Sequence, residues 1–290
     1  VAHALIRPGG AGAYDDRMSD VALITGTSSG MGLHAAVDLA RRGLTVVATL
    51  RDTSRAAALH AAARDAGVEL DVRELDVVDH GAAERVVRGV LADHGRIDVL
   101  INNAGRGSVA TAEQLSMEQI QAQLDVNYLA PVNLTKLVLP GMREQGRGRI
   151  LTVTSVGGAV GQPFADAYCG AKFAVEGFMQ SLAVVAERFG VQVGVIEPAA
   201  VASEFVANVA RPTETGAYGP LLDAYIGRTA GAFSQAQSAE SAGAAIAEIA
   251  TAAGFALRNQ TSDAARNFVG VSLADFDGER VLGFTRPWIA

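Results

Sequence analysis

From Asp20 onward the chain alternates short, β-branched apolar runs with helix-patterned stretches, and this alternation constrains the fold more than any other feature. The runs are VALIT (21–25), TVVATL (45–50), VELDVREL (68–75), DVLIN (98–102), RILTVTS (149–155) and VQVGVIE (191–197). Several are apolar on both faces, the pattern of strands covered on both sides. Between them lie stretches such as GLHAAVDLARRG and DTSRAAALHAAARDAG, ended by Gly43 and Gly67, where a helix commonly stops. Strand–helix–strand repetition packs back onto a sheet through right-handed crossovers. The expectation is therefore a single-domain α/β fold: a Rossmann-type, doubly wound parallel sheet with helices on both faces.

The ends depart from this rhythm. Residues 1–17, VAHALIRPGGAGAYDDR, lack periodicity and the apolar core of a secretory signal, so they are expected to be a flexible extension, with a single folded domain occupying 18–290. After Glu197, residues 203–237 scatter Phe205, Tyr218, Leu222, Tyr225 and Phe233 among turn formers; a helical lid over the carboxyl edge of the sheet is expected there. A helix at 238–253, a last strand at 255–260 and an irregular tail ending FTRPWIA complete the reading.

Composition narrows the function. A net charge of −7 with no basic run argues against nucleic acid as a partner. No apolar run reaches the ~18–20 residues of a membrane span. One cysteine, Cys169, excludes an intramolecular disulfide and a cysteine-built zinc site. His34 and the other histidines show no metal spacing, so no metal is expected. A reducing, cytoplasmic compartment is the expectation from the thiol usage.

Two short motifs carry chemistry. TGTSSGMG (25–32) follows the first strand and opens the first helix, with glycines at 26, 30 and 32. Glycines at such a junction let the backbone turn tightly and approach a pyrophosphate at the helix N-terminus. YCGAK (168–172) places a phenol and an ammonium four residues apart, one turn apart on one helix face. A free tyrosine has a pKa of about 10, and an adjacent cation is expected to lower it by roughly 1–3 units. Cys169, pointing about 100° away on the helix, is read as packing.

The glycine spacing is G-x-x-x-G-x-G. With NNAG (102–105) after the fourth strand, Ser155 ending the fifth, Tyr168 and Lys172 as Y-x-x-x-K, Asn127 in LDVNYLAP and ELDV (74–77), the chain resembles the short-chain dehydrogenase/reductase family from about residue 20 to 200. The resemblance implies an oxidoreductase in which Tyr168 is the acid or base and Ser155 hydrogen-bonds the reacting oxygen. It implies that Lys172 tunes Tyr168 and holds the nicotinamide ribose, while Asn127 anchors a water that resupplies protons to Lys172. It also implies a nicotinamide dinucleotide held by Gly26, Ser28, Ser29, Gly30, Met31 and Gly32. Further contacts would come from Asp76 to the adenine amine, from the Val77 backbone, from Asn103, Ala104 and Gly105 along the ribose, and from Pro198, Val201 and Ser203 near the carboxamide. One departure is Ala199, where the family usually has glycine; slightly altered ring placement and retained activity are expected.

The second strand ends in Leu50 and Arg51. Leu50 stands where NAD-selective members of such folds carry an acid for the ribose hydroxyls, whereas Arg51 suits the 2′-phosphate of NADP, with Ser29 as a further donor. NADP(H) is the expected cofactor, with NAD(H) possible. The alternative is that Arg51 serves only Asp52 or solvent. TGTSSGMGLHAA, VTSVGGAVGQPFADAYCGAKFAVEG and VVATLRD are similar to the 17β-hydroxysteroid and retinol dehydrogenase branch, which implies a bulky apolar ketone or secondary alcohol; a polyketide or another lipid-like ketone is equally open. Phe164, Phe205, Tyr218, Leu222 and Tyr225 either wall that pocket or pack the lid on the sheet. The resemblance also implies a homodimer or homotetramer through helices near 113–145 and 166–189. The rival function is an NADP(H)-binding redox sensor on the same fold, which would need no acid/base group; epimerisation or dehydration through a transient ketone is the other chemical alternative.

Overall fold

The computed structural model describes residues 19–203 and 215–279. The chain forms β1 (Val21–Thr25), α1 (Gly30–Arg41), β2 (Thr45–Leu50), α2 (Ala57–Ala66), β3 (Asp71–Glu74), α3 (His80–His94) and β4 (Val99–Asn102). There follow α4 (Met117–Leu124), α5 (Ala130–Gln145), β5 (Gly148–Val153), α6 (Asp166–Glu187), β6 (Val191–Glu197) and β7 (Val201–Ala202). The last elements are α7 (Gly219–Ser234), β8 (Gln237–Ser238), α8 (Ala239–Thr251), β9 (Arg258–Gln260) and α9 (Asp263–Gly270).

Seven parallel strands lie in the order β3-β2-β1-β4-β5-β6-β9. The order reverses beside β1, between β1 and β4, which is where open α/β sheets bind ligands at their carboxyl ends. Successive strand residues face opposite layers. Leu23, Val47, Leu100 and Ile150 pack with α3, α5 and α6, while Ile24, Ala48, Ile101 and Leu151 pack with α1 and α8. The doubly wound expectation holds. Local chemistry explains many of the boundaries: Asp79 caps α3 through Ala82 N, Ser116 and Gln119 form a capping box at α4, and Gly67, Gly95 and Gly146 end helices in the left-handed conformation.

Differences from the sequence reading are instructive. The third strand is four residues, not eight: Val68 N still bonds back to Ala63 O at the end of α2, and the pairing with β2 runs only over Asp71–Glu74. The helix expected over 113–145 is α4 and α5 joined by a π-type turn, Asp125–Leu129. Residues 263–270, read as irregular tail, form α9, capped by Ser262. The lid region contains α7, and β7 pairs with β8 in a separate two-stranded sheet at its base. The extension at 1–17, Phe205 and the terminal FTRPWIA lie outside the described residues.

Candidate active site

The glycine loop joins β1 to α1. Gly26 has φ +72° and Gly30 φ +62°, values a side chain resists. A Cβ on Gly26 would lie 2.8 Å from Ala104 Cα, so the loop lies directly against the NNAG turn. The Asn103 side-chain amide fastens that contact, donating to Thr25 O (2.8 Å) and Gly26 O (3.0 Å), while Thr25 Oγ1 accepts from the backbone N–H of Asn103 and Ala104. Ser29, the N-cap of α1, makes no capping bond with its side chain. Ser28, Ser29, Gly30 and Met31 are partly exposed and Gly32 is buried. A left-handed glycine turn opening a helix whose first amides lack a side-chain cap is the arrangement a pyrophosphate needs. The residues present fit a dinucleotide.

At the end of β2, Leu50 is buried and Arg51 is exposed; the Asp52 carboxylate accepts from Ser54 N and from Ser54 Oγ. Asp76 accepts from Val78 N within its own turn, and Val77 is buried. Ser203 reaches the glycine loop: a Cβ on Gly30 would lie 3.3 Å from Ser203 Cβ. Val201 is buried beside it, and Pro198 O accepts from Val156 N. Ala199 carries no positive φ, so its methyl is accommodated without backbone strain.

The second group of residues converges from β5, α6 and the π-type turn. The Tyr168 hydroxyl is hydrogen-bonded to the Ser155 side chain, whose Oγ also accepts from Gly157 N at 3.0 Å. Lys172 Nζ lies 5.8 Å from the Tyr168 ring centroid and donates to Val153 O at 3.0 Å. Asn127 is fully buried; its amide donates to Arg106 O (2.9 Å) and Gln123 Oε1 (3.0 Å), and its Oδ1 accepts from Arg106 N. Gly105 bridges the groups, since a Cβ there would lie 3.1 Å from Asn127 Oδ1 and 3.7 Å from Lys172 Nζ. All four residues singled out for chemistry therefore meet at the carboxyl edge, beside the glycine loop.

The electrostatics depart from expectation. Burial dominates at both partners: it pushes the Tyr168 phenol up to about 12, against a smaller lowering by the Ser155 hydrogen bond, and the Lys172 ammonium down to about 8. The cation one turn away does not depress the phenol as the spacing implied, because removing both groups from water costs their charged forms more than their separation returns. The Val153 carbonyl that holds Lys172 is a backbone acceptor and leaves no signal in the sequence.

The expected pocket residues separate into two kinds. Phe164 has φ +61°, a strained value for a side chain; it is buried, and its ring packs 5.6 Å from Tyr225 of α7. Ala110 N donates to Phe164 O at 2.7 Å, so the backbone just before α6 is pinned. Leu222 is buried. Tyr218 instead gives its hydroxyl to Glu113, tying the start of α7 to the loop before α4. Cys169 is buried, and its sulfur accepts from Gln162 N at 3.5 Å.

Residues 20–214 match the family model for short chain dehydrogenase. The chain belongs to the short-chain dehydrogenase family. Among relatives, human retinol dehydrogenase 8 is 42% identical over 187 residues, covering 63% of this chain and 59% of that protein. Estradiol 17-beta-dehydrogenase 1 of Rattus norvegicus is 43% identical over 193 residues, covering 64% of this chain and 56% of that protein. The chain thus spans less than three fifths of the length of either relative. A short-chain dehydrogenase from Streptomyces avermitilis superposes with a TM-score of 0.77 at 30% identity, covering 94% of this chain and 97% of that one. The similarity to the steroid and retinol dehydrogenase branch, carried by three stretches of sequence, is borne out. Short-chain dehydrogenases are nicotinamide-dependent enzymes acting on alcohol and ketone groups. No described helix is long and apolar enough to cross a membrane.

Proposed function

We propose that the protein is an NADP(H)-preferring oxidoreductase that interconverts a bulky, apolar ketone and its secondary alcohol. The observation that carries this reading is the Ser155–Tyr168 hydrogen bond with Lys172 Nζ 5.8 Å from the tyrosine ring, next to a glycine loop shaped for a dinucleotide. A redox sensor needs the loop but not that acid.

The nicotinamide dinucleotide would supply or accept the hydride. Everything else falls to the chain. At neutral pH Tyr168 is a neutral phenol, because its pKa lies near 12; it is the acid form that donates its proton to a ketone oxygen. Ser155 Oγ donates to the same oxygen as charge develops there. Lys172, with its pKa near 8, holds a proton it can release close to physiological pH, and it stands beside Tyr168 to restore the phenol. Asn127 anchors the π-type turn that lines this side of the site, and π-type turns recur at functional sites. Gly26, Gly30 and Ser29 would hold the pyrophosphate, and exposed Arg51 would take the 2′-phosphate, with buried Leu50 offering no carboxylate to oppose it. Phe164, Leu222 and Tyr225 form the apolar side toward α7, which favours a steroid-, retinoid- or polyketide-like skeleton.

The test is cofactor oxidation with NADPH and separately NADH against steroid, retinoid and small aliphatic ketones. Tyr168→Phe should lower kcat by about 10²–10⁴ and leave the cofactor Kd unchanged. Tight NADPH binding with no ketone turned over would favour the sensor.

A further inference from the structure

Behind Lys172, at the junction of α6, β6 and β9, lies a cluster of charged residues that the proposed chemistry does not use. Glu176 follows Lys172 by one helical turn; its side chain is 4% exposed, and that of Glu197 is wholly buried. A single guanidinium nitrogen, Arg258 Nη1, lies 2.7 Å from Glu176 Oε2 and 2.7 Å from Glu197 Oε1. Gln260 Nε2 donates to Glu197 Oε2 at 2.6 Å. Glu176 Oε1 lies 2.5 Å from Thr154 Oγ1, and Thr154 Oγ1 also lies 3.1 Å from Ile196 O. Lys172 turns away from these carboxylates to Val153 O.

Counting protons and charges decides the state of this cluster. Thr154 has one hydroxyl hydrogen and two neighbouring acceptors if Glu176 is ionised, and two buried carboxylates would then share one cation. Adding one proton at Glu176 Oε1 resolves both difficulties. Glu176 then donates to Thr154 Oγ1, Thr154 donates to Ile196 O, and Arg258 is balanced by Glu197 alone. We infer that Glu176 is a neutral carboxylic acid in the resting protein and a positioning residue for Lys172, whose ammonium it leaves without a buried counter-ion.

The charged and titratable groups facing Glu176 are Lys172 on α6, Glu197 on β6 and Arg258 on β9; the β5 neighbour, Thr154, does not titrate. Burial and the Glu197 carboxylate both hold the Glu176 carboxyl well above the usual range, in agreement with the proton count. The consequence for turnover rests on the proposed role of Lys172. While Glu176 is neutral, Lys172 loses its proton easily. When rising pH ionises Glu176, the new carboxylate one turn away holds that proton on Lys172.

Infrared difference spectra of wild type against Glu176→Gln at neutral pH, in H₂O and D₂O, test the protonation directly. A protonated-carboxyl carbonyl band, sensitive to deuteration and lost in the variant, is expected. Thr154→Val, which removes the acceptor of that proton, should shift the same band. In turnover, Glu176→Gln should move the alkaline limb of the kcat profile to lower pH by about one unit, whereas a merely structural glutamate would leave the limb in place. Absence of a lost carboxyl band, or an unmoved limb, overturns the inference. If no ketone is turned over with either nicotinamide cofactor but the band is present and is lost in the variant, the neutral Glu176 stands and the oxidoreductase reading falls.

Discussion

Lys172 offers a stability experiment that reads the buried site without any substrate. Lys172 is 4% exposed, and its ammonium donates to Val153 O. Burial lowers its pKa from 10.5 to about 8, a difference corresponding to about 3 kcal/mol between its charged and neutral forms. Below pH 8 both folded and unfolded chains carry the proton, and the folded state bears the full cost of the buried charge. Between pH 8 and 10.5 the unfolded chain binds the extra proton, so folding stability rises with pH. In a Glu176→Gln background, where no neighbouring carboxylate can form to hold the proton on Lys172, the chain with Lys172 should therefore gain about 3 kcal/mol between pH 7 and pH 10.5 over its Lys172→Met counterpart, which lacks the titrating group. Tyr168 works in the opposite sense, its raised pKa costing stability as pH passes 10, but it is common to both proteins and largely cancels. Urea unfolding of the two chains at four or five pH values across this window gives the difference directly. A difference constant within about 0.5 kcal/mol, the usual effect of an unimportant substitution, would mean that Lys172 is not desolvated as its surroundings imply.

Other outcomes follow from single contacts. Arg51→Ala should raise KM for NADPH about 10–100-fold, the worth of charge-assisted bonds to a phosphate, and leave KM for NADH unchanged; equal effects on the two cofactors would remove the 2′-phosphate role. Gly26→Ala combines a φ of +72° with a Cβ 2.8 Å from Ala104 Cα, and should lower stability by about 1–3 kcal/mol in urea unfolding while weakening cofactor binding. Arg258→Ala removes the cation between Glu176 and Glu197 and should cost about 3–5 kcal/mol; the simultaneous loss measured in Arg258→Ala with Glu197→Gln should be smaller than for Arg258→Ala alone, because no unbalanced carboxylate remains.

How much of this was legible in the sequence depends on whether a feature is local. Five of the seven sheet strands, β1, β2, β4, β5 and β6, begin and end within two residues of the apolar runs that announce them, because a strand buried on both faces is apolar along most of its length. The glycine loop was equally legible, since a left-handed turn against Ala104 tolerates no side chain. Tyr168 and Lys172 were visible as a pair because helical spacing by itself puts them on one face. Their electrostatics were not. The direction of each pKa shift is set by depth of burial, and burial is a property of what β5, α6 and the loop after β4 together exclude from water. The same holds for Phe164, whose left-handed backbone comes with the Ala110 bond and the Tyr225 ring contact, and for Tyr218, which the fold ties to Glu113. Glu176, Glu197 and Arg258 are separated by up to 82 positions and look like ordinary surface charges in the sequence. Periodicity and glycine placement by themselves determined the sheet and the glycine loop, while the resemblance of the motifs to the family, not the spacing alone, singled out Tyr168 as the proposed acid. Only the tertiary structure decided which charges are buried together and which protons they keep, because desolvation depends on every neighbour at once.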